Sequence, residues 1–179
     1  MARLNGFDDY RPPQGVTYYC GPAAVVCACR YLGLATCDAI TTPEALAEAV
    51  AEAGVSFDDG GGREQLVEFA RTATIGATAV AKLGGITGLH EEILASINAN
   101  NPVLIQWRPR FMGLENIHGD RNHWSLIVEW PDDGEGQVEL ADPCMDLVGA
   151  TAGARQWTLQ EMTGTGLGQT CAVVFIEHP

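Results

Sequence analysis

From Cys20 to Leu32 the chain is apolar almost all round, and the run stops at Gly33. A helix without a polar face has no solvent side, so it must lie at the centre of a domain with other elements packed on every flank. Pro22 is acceptable in a first turn, where its missing N–H has no intrahelical partner, and Gly33 suits a C-terminal stop. With 179 residues, the chain has the length of one domain, spanning 1–179, that can bury such a helix without disulfides or metals.

The rest of the sequence supplies the packing partners. Residues 1–19 show no period and read as an irregular entry segment. Thr42-Pro43-Glu44 opens a second helix, with Thr42 as cap, Pro43 in the first turn and Glu44 at the positive end. It runs to about Ala53 and stops at Gly54. Asp58-Asp59-Gly60-Gly61-Gly62 reads as a loop, and a third helix follows from Arg63 to about Thr72, with Leu66, Phe69 and Ala70 at helical spacing. Thr78–Ala81 reads as a short strand and Gly84–Gly88 as a turn-rich link. A fourth helix runs from Leu89 to Asn98, with Leu89, Ile93, Leu94 and Ile97 on one stripe.

Beyond Pro102 the pattern changes to strands. Val103–Trp107, Trp124–Trp130, Gln137–Ala141 and Cys171–Glu177 are expected strands; Asp132–Gly136 is a hairpin-type turn, and Trp157–Met162 reads as a short helix or turn. Helices in the first half and antiparallel strands in the second make an α+β domain.

Composition excludes some partners. The net charge of −13 disfavours nucleic acid and anionic membrane surfaces. The N-terminus lacks the apolar stretch of a secretory signal, and no apolar run approaches the ~20 residues of a membrane span. A cytoplasmic location is expected, with non-classical secretion as the other route. Six cysteines (Cys20, Cys27, Cys29, Cys37, Cys144 and Cys171) are then expected to be reduced thiols. Cys27 and Cys29 are two apart on a helix and point about 200° apart, so they do not clamp one metal. No metal or other cofactor is expected.

One cysteine stands apart. Cys20 sits where the central helix begins, between Tyr18-Tyr19 and Gly21-Pro22, and a helix N-terminus with a nearby imidazolium can lower a thiol pKa by several units. The base must be a histidine from elsewhere. His178 lies at the chain end, His90 at a predicted helix start with a capping or surface role, and His118 in the long 108–122 connection. His123 opens an apolar strand, and a strand end is the firmer mount. His118 and His123 do not have the i, i+4 spacing of a helical zinc pair. Asp142 ends the strand that the Asp132–Gly136 turn pairs with the His123 strand, so the two should be neighbours, and Asp142 can orient the imidazole. Gln14 can donate its amide to a developing oxyanion together with the Cys20 backbone N–H.

Gln14, Cys20-Gly21-Pro22-Ala23, His123-Trp124-Ser125-Leu126-Ile127-Val128 and Ala141-Asp142-Pro143, in that order, resemble the papain-like cysteine peptidases, and among them the bacteriocin-processing (double-glycine leader) peptidases and their stand-alone relatives. The resemblance covers about the whole chain. It implies a papain-like fold: a helical half with the nucleophile opening its central helix, and an antiparallel β half. It also implies a thiolate–imidazolium pair, an acyl-enzyme at Cys20 and hydrolysis of a peptide or protein substrate. An acyl or peptidyl transferase could use the same groups, and a catalytically silent interaction module could retain them. A delivered toxin that cuts a target protein is a further possibility.

Overall fold

The computed structural model describes residues 1–7, 19–57, 61–72, 75–107, 122–133, 136–143, 155–158 and 170–177. Among these residues, four helices pack on one antiparallel sheet. Strand β1 is Ala2–Arg3, helix α1 Cys20–Tyr31, α2 Pro43–Ala53, α3 Arg63–Arg71, β2 Thr78–Gly85, α4 Ile86–Asn98, β3 Val103–Trp107, β4 His123–Trp130, β5 Gln137–Ala141, β6 Arg155–Thr158 and β7 Thr170–Glu177; a single 3-10 turn, Ala35–Cys37, follows α1. The strands lie in the order β2-β7-β3-β4-β5-β6, and β1 pairs with β4 beyond the point where β3 begins.

The central helix is as the sequence demands. Ten consecutive residues of α1, Cys20 to Cys29, are buried. It packs chiefly on β4, with α2, α3, β3 and β7 also in contact. Burying each of Val25 and Val26 stabilises the fold by about 1.5–3 kcal/mol. Gly21 is dictated by packing: a Cβ there would lie 2.6 Å from Cδ2 of Leu66, which α3 buries against the first turn of α1.

The caps of α2 also match the sequence. Thr42 Oγ1 accepts a hydrogen bond from Ala45 N (3.2 Å), and Gly54 takes φ +67° just after the last helical residue. At the start of α3 the Gln65 side chain does the corresponding work, accepting from the Gly62 N–H and donating to Ser56 O at 2.6 Å.

Several expectations need correction. The entry segment contains a short strand, β1, which fills the β4 edge past Ile127, and Leu4 N continues the contact to Val128 O (3.0 Å). The Gly84–Gly88 link is instead the end of β2 and the first turn of α4, because all eight residues of β2 find partners on β7. β2 comes from the middle of the chain and pairs with its end, so the helical and β halves are not separate in sequence. The described part of the Trp157–Met162 segment is the end of β6, paired with β5, rather than a helix or turn. His90 is not at a helix start but well inside α4.

Candidate functional site

Three of the four residues singled out from sequence meet at one end of β4. Cys20 is the first residue of α1, His123 the first residue of β4, and Asp142 immediately follows β5. All three are buried. Gln14 lies outside the described residues, as do His118 and His178.

The sheet register explains the meeting. Leu126 pairs with Ala141, so Asp142 comes level with Ser125 and shares the face that carries His123. Asp142 Oδ1 lies 2.7 Å from His123 Nε2. The same imidazole acts on the Cys20 thiol by charge and by hydrogen bonding, and each group shifts the pKa of the other.

Charge and burial compete at each group. Burial raises the Cys20 pKa, but the His123 imidazolium, by its charge and its hydrogen bond, and a hydrogen bond from the Trp124 backbone N–H reverse this, and the thiol ends below its ordinary value. The α1 N-terminus adds to the effect, since its first turn has no acidic residue to oppose a thiolate. Burial also disfavours a charged imidazole. The Asp142 carboxylate and the Cys20 thiolate outweigh it, and His123 is pushed up to about 10. Both shifts run in the direction that favours thiolate and imidazolium over thiol and neutral imidazole.

The other thiols differ. Burial pushes Cys171 up to about 11. Cys29 and Cys37 hydrogen-bond each other, which raises Cys29 and lowers Cys37, and both are fully buried. Cys37 therefore owes its shift to a neighbouring thiol, with no imidazole beside it.

Two contributors escaped the sequence reading. Trp107 is the register partner of His123, and their rings meet edge to face with centroids 4.9 Å apart. Its Nε1 donates to Ser125 Oγ (3.0 Å), which locks the indole against the imidazole. The signal was present: Trp107 and His123 are the two ends of the 108–122 connection, and the ends of a hairpin face each other. The second is the Trp124 backbone N–H on the sulfur, a main-chain group that residue types do not reveal. Trp124 also ties the site to α3, its Nε1 donating to Gly61 O at 3.3 Å.

His90 has a structural role. Its Nδ1 accepts from Trp130 Nε1 (3.0 Å), so Nε2 carries the proton and donates to Asp132 O (2.9 Å). Trp130 ends β4, about 23 Å from His123 at ~3.3 Å per residue.

No protein-family model matches this chain, and no curated protein matches it in sequence. Among the described residues, no helix is long and apolar enough to cross a membrane, and no cluster of His, Cys, Asp or Glu could hold a metal ion.

Proposed function

We propose that this chain is a papain-like cysteine hydrolase that cleaves a peptide or amide bond. The observation that carries the reading is the buried contact of the Cys20 thiol with His123, whose far nitrogen is held by Asp142. Burial pushes the less deeply buried Cys171 thiol up to about 11. Cys20 is driven the other way.

In this mechanism Cys20 Sγ attacks the scissile carbonyl carbon and the carbonyl oxygen becomes an oxyanion. The Cys20 backbone N–H, in the first turn of α1 and so without an intrahelical acceptor, donates to that oxygen, with the Gln14 side-chain amide as its proposed companion. His123 gives its proton to the leaving amine, and an acyl-enzyme forms at Cys20. Neutral His123 then takes a proton from water, which attacks the thioester and releases the acid. Asp142 keeps the ring oriented throughout and stabilises its charged form. The cytoplasm, where thiols stay reduced, is the proposed location.

The test is exposure of a synthetic peptide library to the native protein and to Cys20→Ala, read by mass spectrometry. New termini with the native protein alone are expected. New amine adducts in their place would make the protein a transferase, and an unchanged library would overturn both.

A further inference from the structure

The sheet ends at β2, and among the described residues no strand pairs with its outer side. The register shows which backbone groups face outward there. Ile176 donates its N–H to Pro102 O, on the β3 side of β7, at 2.9 Å. Its polar backbone groups thus turn away from β2, and those of its partner Ala79 turn away from β7. Arg71 Nη2 duly reaches Ala79 O from that outer side at 2.7 Å. Backbone direction alternates along a strand, so Ala81 and Leu83 also point N–H and C=O outward.

A groove of about 400 Å³ runs between this edge and α3, with Arg63, Val67 and Arg71 on one wall and Ala79, Ala81 and Leu83 on the other. The alanines keep it open. Val80 and Leu83 leave 46 % and 56 % of their surface exposed, while the charge of Lys82 between them is drawn onto Glu92 and the Phe175 ring. The electrostatics are local and distinctive. In a chain of net charge −13, the lining carries two guanidiniums against one carboxylate, Glu64, which is itself paired with Arg63 at 2.7 Å. The groove also has a direction. Arg71 lies beside Ala79, so the start of α3 lies toward the Leu83 end, and from that start Leu66 reaches back to Gly21, next to the nucleophile.

We propose that the outer edge of β2 is a strand-addition site that takes an extended, acidic segment of a peptide substrate. The N–H and C=O groups of Ala81 and Leu83 pair with the segment's backbone, Val80 and Leu83 are covered, and Arg63 and Arg71 select carboxylate side chains. That the segment belongs to a substrate rests on the peptidase reading above; the docking itself does not.

The test uses the full chain as Cys20→Ala, so that no bond breaks, with three capped hexapeptides: alternating valine and glutamate, alternating valine and lysine, and the glutamate peptide with N-methylated backbone. Amide hydrogen exchange is read residue by residue. At saturating glutamate peptide, exchange at Ala81 and Leu83 should slow by about tenfold or more. The lysine and N-methyl peptides should leave it unchanged. Leu83→Glu, an exposed substitution that leaves the core intact, should abolish the protection, and Ala81→Pro should do the same by removing an outward N–H that β7 does not use. Unchanged exchange with the glutamate peptide, or equal protection by the lysine peptide, would overturn the proposal. Because the readout needs no thiolate, its failure is separate from failure of the peptidase reading.

Discussion

Removing the His123 imidazole should raise the Cys20 pKa and slow its alkylation. The size of the effect follows from a comparison inside the molecule. Cys171 is a buried thiol, and burial carries it to about 11 against an opposing backbone hydrogen bond. Cys20 is more deeply buried, so without His123 it should rise at least as far. At pH 7.5 a thiol at its ordinary value of 9.0 is roughly 3 % thiolate, whereas one near 11 is about 0.03 % thiolate. That is a loss of about 100-fold. The stronger nucleophilicity of the more basic thiolate returns roughly tenfold of it, leaving alkylation at least about 10-fold slower. Native Cys20 starts below the ordinary value, so the measured ratio should exceed this bound. His123→Ala alone removes the imidazole from the buried Asp142 carboxylate, which can cost about 3–5 kcal/mol, so His123→Ala/Asp142→Asn should be measured beside it. The assay is iodoacetamide labelling against pH with site mapping by mass spectrometry, and thermal unfolding confirms that each variant is folded. A folded variant in which Cys20 reacts at the native rate, or keeps a lowered pKa, would refute the assignment of the thiolate to His123.

Asp142→Asn removes the leading cause that holds His123 up near 10, so the alkaline limb of turnover, and the imidazole titration seen by NMR, should both move to lower pH; an unmoved limb contradicts the pairing. For His123 the sign of the stability effect is that of any raised pKa: its contribution is complete below the unfolded value of about 6.5 and is lost as pH rises through the folded value, which is about 10 in the native protein and lower in Cys20→Ala, where the share of Cys20 is gone; the unfolding temperature of Cys20→Ala should therefore fall as pH rises above about 6.5, and that of Cys20→Ala/His123→Ala should not. Trp107→Phe keeps the ring contact but deletes the donor to Ser125, and calorimetry should show about 1 kcal/mol of lost stability with a lower kcat and little change in KM. Gly21→Ala drives a methyl group into Leu66 and should cost about 1–3 kcal/mol by denaturant unfolding, partly relieved by Leu66→Val.

How much of this was legible depended on whether the signal was local. The bounds of α2 were, because Thr42, Pro43 and Gly54 act on backbone groups within a few residues of themselves. The meeting of His123 with Asp142 was also legible, since a short turn between two strands fixes their register. The extra length of β2 was not: Gly84 and Gly85 are poor strand residues, and they are held extended by Cys171 and Thr170, from the far end of the chain. β6 was missed for a related reason. Its identity comes from pairing with β5, and its short run carries no alternation strong enough to outweigh a helical reading. His90 was misplaced because Trp130 and Asp132, which use both its ring nitrogens, are remote in sequence.

The feature that makes α1 the centre of the fold also works against its chemistry. A helix apolar all round must be buried, and burial opposes a thiolate, so the placement of Cys20 would by itself produce an inert sulfur. Cys29, on the same helix in the same burial, is pushed up by its bond to Cys37 and by burial. What separates Cys20 is its position in the first turn, where the helix end meets the start of β4. There the His123 side chain and the Trp124 N–H both reach the sulfur, and Asp142, fixed by the β4–β5 register, holds the imidazole charged. A one-residue register slip between β4 and β5 would send Asp142 to the other face of the sheet. The reactivity of the thiol therefore depends on strand pairing more than 100 residues away in sequence, which is why destabilising the β4–β5 pair should dim Cys20 labelling before it unfolds α1.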